Sequence, residues 1–261
     1  MLSLLLKPRW IAFTLFALVV TVTCARLGFW QLDRLEGRRY YNALFREGMK
    51  RAPEPIESLL ASPGPNPIDY RRATADGRFD IENEVILYGR SLRDQPGNHI
   101  LTPLVLADGR AVLVDRGWVP FELDTPPVAA AAPPAGRVQV EGFLSPDESE
   151  GSKPPGTGAP RITTFTRVDL RTIGAQLPYE LLPWYLTSQT QSPRQPSDLP
   201  RAVAPPELTE GPHLGYAFQW FAFATIAVVG YVILIRRELL NRRHDALPDR
   251  SEPSRPTEAK E

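Results

Sequence analysis

The chain has little of what most metal, redox and nucleotide chemistry requires. It holds one cysteine, Cys24, and three histidines in 261 residues. No internal disulfide can form, and a Cys/His zinc cluster lacks ligands. Cys-x-x-Cys, His-Glu-x-x-His, Gly-x-Ser-x-Gly, a glycine-rich phosphate loop and the dinucleotide fingerprint are all missing. Charge of one sign is missing too: 30 basic and 30 acidic side chains cancel, which argues against a nucleic-acid partner. At 43% hydrophobic residues the chain is too apolar to be disordered throughout. Proline, by contrast, is plentiful: the 28 residues are about twice the usual ~5% share, so turns and connectors take up much of the chain.

Two apolar blocks stand at opposite ends. Residues 10–30 read WIAFTLFALVVTVTCARLGFW, with Arg26 as the one charge and Trp10 and Trp30 at the edges. That length covers the hydrocarbon core of a bilayer, and Arg26 can snorkel to the near surface. A cleaved signal peptide would have a shorter apolar run and a small-residue cleavage site, so a retained anchor is expected. Residues 216–235 are uncharged, and Arg236, Arg237, Arg242 and Arg243 follow. By the positive-inside rule this end is cytoplasmic, and with two spans so is the N-terminus. Arg34, Arg38 and Arg39 run against that rule, but Asp33 and Glu36 lie among them. The expected division is a cytoplasmic segment 1–9, a transmembrane helix 10–30, an extracytoplasmic domain 31–212, a second transmembrane helix 213–235 and a cytoplasmic tail 236–261, basic and then disordered. The protein is expected in the cell membrane as a multi-pass chain with both termini cytoplasmic and the lipid bilayer as a partner.

Between the blocks, a short helix over 40–50 ends at a cluster containing Pro53, Pro55, Pro63, Pro65 and Pro67. Strand patterns follow over 70–79, 83–88 and 99–106, and Asp108-Gly109 predicts a two-residue hairpin turn into 110–114. Residues 137–141 alternate with Val138 and Val140 on one face, and 184–187 predicts a last strand. One helix is expected over 169–176, and 126–135, 151–160 and 191–206 read as connectors. The fold class is therefore an α+β membrane protein: two transmembrane helices flanking a mainly antiparallel β extracytoplasmic domain.

Candidate chemistry gathers at the membrane boundary. Gly211-Pro212-His213 opens the second block, and Tyr216 and Trp220 follow at spacings that put all three on one helix face. Gln219 adds an amide inside the apolar run. On the first span Gly28, Gln31 and Leu35 share a face, and Gly28 is small enough for another helix to approach. Two readings stay open. These residues are interfacial anchors, with Gln31 and Gln219 bonding the helices together, or they present a polar stripe to a ligand. Arg26 and Arg34 are likewise either solvated or placed to meet an anion. His99, the one histidine of the central region, has no serine at motif spacing, so no catalytic residue is assigned. The 116–118 run Arg-Gly-Trp, which ends the hairpin's second strand, is either structural, with Gly117 relieving strain and Trp118 capping the β core, or a docking edge.

Five motifs in order resemble the surfeit-locus family of cytochrome c oxidase assembly factors: Gly28-x-Trp30-Gln31-Leu32-x-Arg34; Gly77-x-Phe79; Leu101-Thr102-Pro103-Leu104; Val114-Asp115-Arg116-Gly117-Trp118-Val119-Pro120; and His213-Leu214-x-Tyr216-Ala217-x-Gln219-Trp220-Phe221. Two of them fall on the expected membrane boundaries. The resemblance implies a non-enzymatic, chaperone-like assembly factor for the haem-copper oxidase, assisting haem a insertion into the catalytic subunit or stabilisation of that subunit. It implies as partners the catalytic subunit of cytochrome c oxidase and proteins of haem a synthesis or delivery, with haem a as a transient cofactor. His213 then takes the role of haem-iron ligand, with Tyr216, Gln219, Trp220 and Arg34 around it. The chain departs from the family's pattern at 152–160, where an Asn-Pro element is often found. The competing expectations from other classes are an anchored extracytoplasmic sensor or scaffold without haem, and a tethered hydrolase built around His99.

Overall fold

The computed structural model describes residues 7–61, 68–148 and 160–245, with side chains to Arg242. Pro63, Pro65 and Pro67, nearly all of the 151–160 connector, the expected tail beyond 245 and the side chain of His244 lie outside the described residues. The chain forms two units: residues up to 40 together with those from 209 onward, and residues 41–208.

In the first unit two long helices pair antiparallel. Helix α1 spans Pro8–Lys50 and α4 spans His213–Asp245. Each is long and apolar enough to cross a membrane. The short helix expected at 40–50 is the continuation of α1, with no break at the end of the apolar run, and α4 likewise runs past residue 235. Neither extension carries a proline that would stop it. On α1 the buried positions Cys24, Gly28, Gln31 and Leu35 recur at steps of four, three and four. That is the heptad seam of a helix packed against one partner. The facing positions on α4 include Ala217, Phe221, Ala224, Tyr231 and Ile235. Away from the seam the large apolar side chains point outward: Phe16 is 64% and Phe218 78% exposed.

The second unit is built on one eight-stranded sheet. Its strands are β1 (Glu54–Pro55), β2 (Arg72–Phe79), β3 (Val85–Leu92), β4 (Gln95–Leu106), β5 (Ala111–Pro120), β6 (Val138–Pro146), β7 (Thr164–Phe165) and β8 (Leu181–Ser192). Helices α2 (Ile56–Ala61) and α3 (Leu170–Gly174) complete it. The strand order β1-β2-β6-β8-β5-β4-β3-β7 closes on itself because β2 also pairs with β4. Strands β2, β6, β8, β5 and β4 thus form a ring. Strand β4 serves both sides of the gap, pairing its first residues with β3 and Leu104–Leu106 with β2. Closure leaves the ring no unpaired edge.

Alternation explains which face goes inside. Ala73, Ala75, Val112, Val114, Val138, Val140, Leu144 and Leu186 fill the ring's core, at roughly 2 kcal/mol for each large aliphatic side chain buried. On the outer side Leu101, Leu113 and Tyr185 are covered by Phe165, Leu170 and Ile173. Because β5 is covered on both sides, it is buried from Ala111 to Val119 instead of alternating.

The antiparallel expectation holds for most pairings. However, β1–β2, β3–β7 and β5–β8 are parallel. Strands β1 and β7 and helix α2 are too short to produce a periodic signal. The hairpin at Asp108-Gly109 has three loop residues, not two. The Gly109 amide donates to the Leu106 carbonyl and the Leu106 amide to that of Arg110, with Gly109 at φ 86°. This is a turn followed by a left-handed glycine, which restores the strand register.

The docking-edge reading of 116–118 is overturned, since Trp118 is only 3% exposed. Gly117 has φ 127°, and a Cβ there would strike the Arg201 carbonyl, whose strand bridges back to Trp118. Arg116 is buried against Glu84 at 3.2 Å. Glu84 also accepts from Thr102 Oγ1 and the Val128 amide, and Arg116 donates to the Ala131 carbonyl and to Gln195. Burial holds the Glu84 carboxyl above its usual range and lowers the Arg116 guanidinium to about 10, each effect opposed by the partner's charge. Arg116→Ala strands a buried carboxylate, and unfolding measured in denaturant should show a loss of about 3–5 kcal/mol. A loss under about 1 kcal/mol would mean the pair does not organise this face.

Candidate functional site

The site expected around His213 is built by the way α4 begins. Gly211 takes φ 68°, a conformation that glycine tolerates at little cost, and Pro212 follows with its fixed φ. The Tyr216 amide donates to the Pro212 carbonyl, which sets the first turn. His213 is then the first helical residue, and its ring turns into the seam toward α1. There Nδ1 lies 2.8 Å from Gln31 Oε1. Gln31 is 9% exposed, so its amide is committed between the helices. An amide oxygen accepts, so in a neutral His213 ring bonded this way the proton sits on Nδ1 and the lone pair on Nε2.

Gly28 makes this contact possible. It faces Phe221, and a Cβ at Gly28 would lie 2.7 Å from that ring. Phe221 also meets Phe29 edge-on at 5.2 Å. Further along, Thr14 and Tyr231 hydroxyls meet at 2.5 Å. Toward the loop, Arg39 donates to Glu210 at 2.9 Å, and that bond holds Glu210 below the usual carboxylate range. The polar contacts thus step along the two helices in opposite directions and fix their register.

The remaining predicted residues are only partly assembled. Tyr216 is 48% exposed on α4, one turn from His213 and outside the seam. Trp220 is half-buried and packs edge-on to Phe223 at 6.0 Å. Gln219 and Arg34 are exposed, as is Arg26. Of the two amides expected to join the helices, Gln31 bonds to His213, while Gln219 points away from the seam. The Arg39–Glu210 pair was not foreseen, because nothing in the sequence links residues so far apart.

In the second unit His99 is buried, and its Nδ1 lies 2.9 Å from Asp115 Oδ2, while Asp115 Oδ1 accepts from the Gly117 amide. Thr102, the nearby hydroxyl, is bonded to Glu84. Asp115 therefore orients His99 within the sheet and ties β4 to β5.

Together these features define a class: a closed β domain inserted in the chain between two long apolar helices that pair through a polar seam. The chain belongs to the SURF1 family, whose sequence profile matches residues 18–225. An uncharacterized SURF1-like protein of Mycobacterium bovis is 28% identical over 252 residues, covering 94% of this chain and 90% of that protein. A SURF1-like protein of Rickettsia bellii is 25% identical over 225 residues, covering 85% of this chain and 90% of its own length. The family is generally linked to cytochrome oxidase assembly.

Gly28→Val should separate the seam at Phe221 and lower stability by about 1–3 kcal/mol, as overpacking does. Melting of the purified protein in detergent measures it, and an unchanged midpoint would contradict the close approach.

Proposed function

We propose that this protein is a two-span membrane assembly factor for a haem-copper cytochrome c oxidase, in which His213 serves as the haem a ligand. The outward-facing Phe16, Phe218 and Ile226 suit lipid contact. The arginines after the second apolar block support cytoplasmic termini, with residues 31–212 outside the cytoplasm. His213 then stands at the outer end of the helix pair.

The observation that carries the reading is the His213–Gln31 bond, which holds the ring and leaves Nε2 free. That donor suits an axial position on haem iron, and bound haem a would supply the redox centre destined for the oxidase. Gln31 orients the ligand, Tyr216 and Trp220 offer aromatic surface beside it, and exposed Arg34 and Gln219 are available to polar groups at the rim. A second histidine ligand, if haem a used one, would have to come from another chain, because His99 is engaged with Asp115 and His244 belongs to the cytoplasmic end. The partners in this reading are the oxidase catalytic subunit and the proteins that make or deliver haem a.

The test compares strains carrying no protein, wild type, His213→Ala and Gln31→Leu, reading oxidase haem a per unit of catalytic subunit in isolated membranes. Deletion and His213→Ala are expected to lower that ratio several-fold with subunit synthesis unchanged, and Gln31→Leu to give an intermediate value. Normal haem a content with His213→Ala, at normal levels of the variant protein, would remove His213 as the ligand.

A further inference from the structure

The helix pair has a second end, opposite His213, and it is built differently. Lys7 and Arg9 stand at the start of α1, and Arg236, Arg237 and Arg242 in the last turns of α4. Among the described side chains there, Glu238 is the acidic one, held by Arg242 at 3.1 Å and by Arg9 at 3.5 Å. The cations are therefore in large excess. Between the helices at this end lies an open cleft of about 310 Å³ lined by Arg9, Trp10, Phe13 and Leu234. Its walls are fixed by ring contacts: Trp10 meets Phe13 edge-on at 6.3 Å, and Phe13 stacks on Tyr231 at 6.3 Å. Trp10 Nε1 is shielded from solvent and has no acceptor among the described residues, although a shielded indole N–H ordinarily finds one.

An apolar cleft, an unmet donor and a surplus of cations at one rim match an amphiphile with a negative head. We propose that this end of the helix pair is a binding site for an anionic phospholipid. An acyl chain lies along Trp10, Phe13 and Leu234, and the phosphodiester meets Arg9, Arg236 and Arg237. A zwitterionic lipid brings its own ammonium group, which the cation excess opposes, so the site selects for net negative charge. The proposal rests on the two-span reading and uses nothing at the His213 end.

The test titrates the full-length protein in non-ionic detergent with dioleoylphosphatidylglycerol or dioleoylphosphatidylcholine, read by native mass spectrometry and thermal melting. The anionic lipid is expected to bind about tenfold more tightly. The triple variant Arg9→Gln, Arg236→Gln, Arg237→Gln, with its lipid-free melting unchanged, should reduce that preference to within about twofold. Equal binding of both lipids, or an undiminished preference in the triple variant, overturns the site. So does equal stabilisation by free glycerol 3-phosphate, which would make it a soluble-phosphate site. Alkaline extraction of membranes separates the two ideas. Protein that stays with the membrane yet shows no preference refutes the lipid site alone, whereas protein released to the supernatant refutes both.

Discussion

The hydrogen bond between His213 and Gln31 is the contact on which the rest of the account depends, and it forms one turn from the place where the two helices pack at Gly28. Gly28 allows that packing by placing no Cβ against Phe221. In an apolar surrounding, a glutamine amide and an imidazole each carry a heavy desolvation cost when unpaired, so the two groups satisfy one another. The bond then does more than join helices. In a neutral ring it favours the tautomer with the proton on Nδ1 and the lone pair on Nε2.

The β unit solves a different problem. A sheet edge invites pairing with other chains, and closure through β2 and β4 leaves the five-strand ring none. The residues of the 115–118 run tie β5 to its surroundings. Asp115 orients His99, Arg116 neutralises Glu84 beside the 3₁₀ turn at Ala129–Ala131, and Gly117 admits the returning strand at Arg201. Of the two readings the sequence left open for 116–118, structural or docking edge, the burial of Trp118 selects the structural one.

Much of this was legible in the sequence, for identifiable reasons. The apolar blocks are long and uncharged, so their helices declare themselves, and the one-face placement of Gly28, Gln31 and Leu35 anticipates the seam. Strands with clean alternation, such as 137–141, fall where expected. What escaped notice depends on partners distant in the chain. The parallel pairing of β5 with β8, the closure of the ring and the Arg39–Glu210 pair carry no local pattern. The extent of β5 was also missed, because Asp115, Arg116 and Gly117 interrupt an apolar run, and only their buried partners explain why the strand continues. At the site, helical spacing put His213, Tyr216 and Trp220 on one helix face. It gave no sign that His213 turns into the seam while Tyr216 stays exposed.

Nitrogen NMR of protein labelled at histidine tests the central claim most directly, because the chain has just three imidazoles to resolve. The account predicts that the resonance lost in a His213→Ala sample belongs to a neutral ring protonated at Nδ1, and that Gln31→Leu abolishes this single-tautomer signature. A ring protonated at Nε2, or one unaffected by the loss of Gln31, would contradict it.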